Sequence, residues 1–460
     1  MPLFSLYFYI HNTPNSHKVI DFERRYYISE LSSISKERYY NSNLIFYARL
    51  YDSLKQSYLM KDIFCKTIPL LDPIHALHNN YTLRLSRNPH LPSGYNHSTY
   101  HKINDLNNTA YIDVFCSYLF GQLTHKNINP SFPLFYGSSN GLGAFKYDIT
   151  EEYHDLRFDK SFNDNMGKGF TMDMYMSDSE SDQSSHKSSS SSSMEDLMTN
   201  DYKDRKSSSS SSSSDDSNYS DDYIVQFPNM PLQLLFIEKL DATLEDYIQH
   251  ESFQENVLLS CMFQISFALA YLQKHYEFTH NDLHINNIMY QSTESTYLYY
   301  KLNNMYFKVP TYGKIFKIID FGRAIFTFKN KIYRNDVFSR NSEAGGQYSY
   351  PHQVSFLHPK LNDRYNHICE PNYNFDLCRL SMTILEEVSP LSQSLYDYIH
   401  TMCLNKHNQS FCDMSDDFNL YVSIAKDADK ALPISSLSNI IFKPYRIKKK
   451  QFPTKSYYTL

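Results

Sequence analysis

The chain has 460 residues, 41% of them apolar, and a formal net charge of −6. That length admits two or three domains, or one two-lobed domain with insertions, and the acidic balance argues against general nucleic-acid binding, which needs a basic surface. Seven scattered cysteines with no C-x-x-C pair fit free thiols in a reducing compartment better than a disulfide or zinc framework. No apolar run approaches the roughly 20 residues of a membrane span, and the apolar N-terminus lacks the basic region and cleavage site of a signal peptide.

Residues 1–60 show little periodicity and read as an N-terminal extension or the start of the first folded unit. Leu44 to Tyr51 fits either a strand or a buried helical turn, which short apolar runs do not distinguish. Asp62 to Ile68 is a clearer strand, with Lys66 among apolar neighbours, ended by Pro69 and Pro73 because proline removes a ladder donor. Prolines, Gly94 and many Asn and Ser make 83–108 a loop. Apolar residues at 112, 115, 116 and 119 predict an amphipathic helix over 110–120 with Asp113 as its one carboxylate. Phe132 to Gly137 reads as a strand, and Gly137 to Lys146, with Gly141 and Gly143, as a turn between strands.

Residues 177–222 are Ser homopolymer interleaved with acidic residues. Such a tract cannot bury enough apolar surface to offset its ordering entropy, so a disordered insertion and solvated spacer is expected. A strand follows over 232–240, then a capped helix start in which Thr243 precedes Asp246, then a long apolar helix over 255–275. Arg446 to Lys450 reads as part of a solvated basic tail over 441–460.

The chemistry concentrates in two stretches. One is Phe278-Thr279-His280-Asn281-Asp282-Leu283-His284-Ile285-Asn286-Asn287, a His-x-Asp turn with Asn five residues after the Asp. The other is Phe316-Lys317-Ile318-Ile319-Asp320-Phe321-Gly322, a carboxylate at the end of an apolar strand. Between them a Tyr-rich hairpin turns at Asn303-Asn304. One carboxylate to orient a hydroxyl, with an Asn and an Asp to hold magnesium, is the equipment of phosphoryl transfer.

These stretches resemble the catalytic loop and D-F-G of protein kinases. The resemblance implies an α+β, two-lobed protein-kinase-like fold: a β-rich small lobe within 61–240 that carries the insertion, and a mainly α-helical large lobe over 241–440. It implies an ATP- and magnesium-dependent enzyme acting on Ser/Thr hydroxyls of protein substrates. Asp282 would take or orient the acceptor proton, Asn287 and Asp320 would ligate Mg2+, and Lys66, partnered by Asp113, would grip the α/β-phosphates. Glu238 and Leu240 would offer backbone groups to adenine, and Asp376 would brace the catalytic loop.

The pattern also departs from that family. No glycine precedes Gly94, so no glycine-rich loop lies ahead of Lys66; the catalytic-loop Arg is Asn281, the following Lys is His284, and no A-P-E follows Asp320. The alternatives are a small-molecule phosphotransferase of the same fold, whose H-x-D-x-H is similar to His280-Asn281-Asp282-Leu283-His284, or a pseudokinase acting as a scaffold. Ile63 to Pro73, Tyr111-Ile112-Asp113 and Thr311 to Ala324 resemble kinase-like proteins of large cytoplasmic DNA viruses of the mimivirus type. That similarity spans roughly 60–390 and implies a host-cytoplasmic or virion location.

Overall fold

The computed structural model describes residues 25–34, 43–81, 97–175, 222–339, 342, 344–348, 371–414 and 418–460. The expected insertion lies outside the described residues except for Asp222. The chain mixes α and β structure. Its N-terminal part is built on one sheet of order β1-β2-β3-β6-β4, with β5 also on β6. These strands are β1 (Tyr26–Ile34), β2 (Leu44–Asp52), β3 (Ser57–Pro69), β4 (Phe135–Asp148), β5 (Thr171–Tyr175) and β6 (Asp222–Glu238). The sheet therefore begins within 1–60, the stretch read as an extension or the start of the first folded unit, and Leu44 to Tyr51 is strand because β3 gives it a full antiparallel partner.

Two expectations from glycine and proline content are corrected here. Within the predicted 83–108 loop, His97–Asn104 is helix (α1). Gly137 to Lys146 is not a turn but the middle of β4, paired along its length with β6. Register shifts fall at Phe135/Gly137 and Gly143/Phe145, where bulges use small residues. A Cβ on Gly143 would come within 3.1 Å of the Leu232 side chain. The second shift also accommodates Pro228, which cannot donate to a ladder.

Helix α2 (Thr109–His125) packs against this sheet, its first turn capped by the Asn108 side chain accepting from the Ala110 N–H. It is buried on nearly all sides rather than along one stripe, because the segment after Gly322 covers its other face. There β12 (Ile325–Phe328) and β13 (Lys331–Arg334) form a hairpin. Phe115 meets the rings of Phe326, Phe328 and Tyr333 at 5.4–5.7 Å.

The C-terminal part is arranged around α4 (Glu255–Tyr276), which follows β7 (Ala242–Thr243) and α3 (Leu244–Gln249). The capping box expected at Thr243 and Asp246 is formed in both directions. By length and hydropathy α4 could cross a membrane, but most of it is buried inside the protein. Helices α5 (Phe375–Glu387), α6 (Gln393–Met402) and α7 (Phe418–Asp427) also belong to this part. Two antiparallel pairs lie beside α4: β8 (Ile288–Ser292) with β11 (Lys314–Ile318), and β9 (Tyr297–Leu302) with β10 (Met305–Pro310).

The basic residues of the tail, Arg446 and Lys448 to Lys450, are exposed, while its flanks are anchored. Phe442 is fully buried, 5.1 Å from the Phe263 ring of α4. Arg446–Ile447 then adds to β10 as β14, and Tyr458–Thr459 adds in parallel to β9 as β15. The lysines point outward because the aromatic residues flanking them are the anchors.

Among the described thiols Cys412 is exposed and the others are buried. A hydrogen bond from Cys403 brings the Cys412 thiol down to about 7, with burial opposing. Alkylation of Cys412 by iodoacetamide, followed by peptide mass mapping, should titrate with a midpoint of about 7. In Cys403→Ala the midpoint should rise toward the free-thiol value of about 8.5.

Candidate active site

β3 and α2 bring Lys66 and Asp113 together across 47 positions, with Nζ 2.6 Å from Asp113 Oδ2. The same Nζ lies 2.8 Å from Asp320 Oδ1. Asp113 is no solvated surface acid: it is 1% exposed, and its other oxygen accepts the Phe321 N–H at 3.1 Å. One lysine and one buried carboxylate thus fix both the side chain and the following backbone of Asp320. Burial pulls Lys66 toward neutrality, but Asp113 and Asp320 outweigh it and hold the ammonium above its ordinary range. Burial pushes Asp113 up against the pull of Lys66. Asp320, with 42% of its side chain exposed, is held at about 2, the Lys66 ammonium prevailing over burial.

The backbone at Asp320 is left-handed, φ +59, as is Asn281, φ +65. Non-glycine residues seldom adopt this region, and such strain persists only where surroundings enforce it. At Asn281 the enforcement comes from below: Asp376, buried at the start of α5, accepts the His280 N–H and the Asn281 N–H, each at 2.9 Å. The Asn281 Nδ2 donates to the Arg323 carbonyl at 3.0 Å, and its Oδ1 accepts the Tyr348 hydroxyl at 2.8 Å. A neutral amide therefore ties the two ends of the segment after Gly322, where an arginine would have presented a charge. His280 Nε2 donates to the Ile319 carbonyl at 2.9 Å, joining the two motif stretches directly.

Asn287 ends a short 3-10 turn, and its backbone carbonyl accepts the Ile319 N–H at 3.0 Å. The β8–β11 pairing begins at Ile288 and Ile318, so Asn287 and Asp320 flank one end of that ladder. Asn287 Nδ2 donates to the Asp282 carbonyl at 2.8 Å and to His284 Nε2 at 3.0 Å. Burial keeps His284 below its usual range, so the neutral imidazole can accept. The Asn287 amide hydrogens are thereby used, and Oδ1 is the hard oxygen donor that Asn287 retains. Asp320 Oδ1 is engaged by Lys66 and the Gly322 N–H, which leaves the second oxygen for a cation. Among the described residues no group of three or more His, Cys, Asp or Glu is placed to hold a metal. These donors suit magnesium, which is commonly held by one or two protein oxygens together with substrate phosphates.

Asp282 lies on the same loop, its Oδ1 3.2 Å from the Tyr421 hydroxyl and 4.0 Å from Arg323 Nη1. Neither partner is signalled by the His-x-Asp motif itself.

Glu238 ends β6, two residues before Leu240, and its side chain is buried. Its N–H already donates to the Leu134 carbonyl at 2.9 Å. Its carboxylate is buried against Lys317 at 2.7 Å and Lys61 at 3.3 Å, with Gln291 donating at 2.9 Å. Of the Glu238 peptide groups only the carbonyl could meet a base. Leu240 is buried just beyond the strand end. Ile45, Phe64 and Ile237 stand opposite one another across β2, β3 and β6, and strand alternation puts Lys66 on the same face. This apolar row adjoins the charged cluster.

No family model matches the chain. A probable serine/threonine-protein kinase of Dictyostelium discoideum is 33% identical over 126 residues, covering 25% of this chain and 10% of that protein. The match relates part of the chain to a kinase-like enzyme, and the chain spans about a tenth of that relative's length.

Proposed function

We propose that the protein is an ATP- and magnesium-dependent kinase that transfers the γ-phosphate to Ser/Thr hydroxyls of proteins. In this reading the fold is the two-lobed protein-kinase-like one. The sheet and α2 form the small lobe, with 1–60 taken as its start, and the α4 bundle from 241 forms the large lobe. The observation that carries the reading is Lys66 paired at once with Asp113 and Asp320. A cation held by two carboxylates is poised to grip α/β-phosphates when they enter.

Asn287 and Asp320 would hold magnesium, which supplies charge neutralisation to the phosphates. Asp282 accepts the acceptor hydroxyl's proton as the new O–P bond forms and the bond to the ADP oxygen breaks. The row of Ile45, Phe64 and Ile237 would pack on adenine, with the Glu238 carbonyl and the Leu240 backbone at its edge. Phosphate binding without a glycine-rich loop rests on Lys66 and the metal. The location follows from the viral resemblance alone: a host cytoplasm or a virion.

Titration calorimetry with Mg·ATP tests the site. Saturable heat should appear with the unsubstituted protein and fall at least about tenfold in affinity in Lys66→Met, which removes a charge-assisted contact worth roughly 1.5–3 kcal/mol. Absence of binding would sink the reading. The scaffold alternative draws on the missing glycine loop and on Phe64, whose bulk lies on the Lys66 face; it predicts binding without transfer. The small-molecule alternative draws on His284, and predicts label on choline or an amino-sugar but not on protein.

A further inference from the structure

Beyond these residues, α7 contributes a group to the same site from far along the chain. The Tyr421 hydroxyl donates to Asp282 Oδ1 at 3.2 Å, across 139 positions. The ring is held from several directions. The guanidinium carbons of Arg323 and Arg379 lie 5.8 and 5.4 Å from its centroid, and the Phe375 ring is 5.9 Å away. Phe375 immediately precedes Asp376, whose carboxylate holds the loop that carries Asp282. Burial, ahead of any charge effect, raises the phenol above its ordinary value, so Tyr421 remains a donor near neutral pH.

We propose that Tyr421 is a positioning residue for phosphoryl transfer, its hydroxyl fixing Asp282 Oδ1 so that Oδ2 faces the acceptor hydroxyl. The inference rests on the kinase reading above and deepens it. Arg323 reaches the same oxygen at 4.0 Å, so both partners converge on one side of the carboxylate. A carboxylate free to rotate would present either oxygen and would spend less time aligned with an acceptor, and misalignment of reacting groups costs rate rather than binding. The cations over the ring keep the phenol in place in the absence of an acceptor.

Tyr421→Phe removes one oxygen and keeps the ring and its cation contacts. Loss of a hydrogen bond to a charged group should lower kcat by about ten- to a hundredfold, with KM for Mg·ATP unchanged. The same substitution in an Asp282→Asn background separates positioning from support of the fold. A residue acting through the carboxylate should cost much less there, because effects of residues that act as a unit are not additive. An equal fold-loss in both backgrounds would overturn the inference in favour of a structural role. No change in kcat would overturn it too. Faster transfer by Tyr421→Phe would show instead that the hydroxyl competes with the acceptor. If the unsubstituted protein binds Mg·ATP but transfers nothing to any acceptor, the kinase reading fails and this inference with it; transfer by the unsubstituted protein with Tyr421→Phe unaffected overturns this inference alone.

Discussion

Asp282→Asn should lower phosphoryl transfer by about 10²- to 10⁴-fold, the usual contribution of a positioned general base, while Mg·ATP binding survives. The substitution keeps the size of the side chain and an oxygen that can still accept from Tyr421. What it removes, in the proposed function, is the basic oxygen that would take the acceptor's proton. The lysine and metal-side groups, Lys66, Asp113, Asn287 and Asp320, contact one another or the loop backbone rather than the Asp282 carboxylate, so nucleotide binding should be spared. Steady-state kinetics beside calorimetry checks both halves. A fall in affinity as large as the fall in kcat would show that Asp282 supports binding rather than proton transfer.

Glu238→Ala should destabilise the protein by about 3–5 kcal/mol, the range for removing one member of a buried ion pair. The Glu238 and Lys317 side chains are each 3% exposed and 2.7 Å apart. Burial alone would raise the Glu238 carboxyl, but Lys317 and Lys61 prevail and hold it below its ordinary value. Its stabilising effect is therefore complete above the ordinary carboxylate range and is lost as pH falls through the folded value. Truncation strands the Lys317 ammonium in the core. Urea unfolding near neutral pH measures the loss. The double change Glu238→Leu with Lys317→Met should cost much less, since an apolar pair of similar volume is often as stable as a buried ion pair.

What is legible in the sequence follows how local each signal is. Asp282, Asn287 and Asp320 announce themselves because a short loop and a strand end carry their spacing within a few residues. The Lys66–Asp113 contact joins β3 to α2, and only the kinase resemblance paired them in advance. Tyr421 and Tyr348 carry no local mark: each is one tyrosine among 41, placed by tertiary packing. Lys317 has a faint signal, a charge between Phe316 and Ile318 in an apolar strand, but its partner Glu238 lies 79 positions earlier. The misread glycine-rich stretch has a physical cause. Gly137 to Lys146 has the composition of a turn, yet β6 supplies a partner for nearly every residue, and pairing overrides local preference. The basic residues of 446–450 stay exposed, as their charge suggests, while Phe442 and Tyr445 just before them are buried.

The central claim is that Lys66, Asp113, Asp282, Asn287 and Asp320 form one phosphoryl-transfer site that works on proteins. Its most direct test is incubation of the purified chain with γ-labelled ATP, magnesium and a generic protein acceptor, alongside Asp320→Ala. Label on serine and threonine of the acceptor, dependent on magnesium and absent with Asp320→Ala, is the result expected. No label on any acceptor, together with no thermal shift from Mg·ATP, would contradict it.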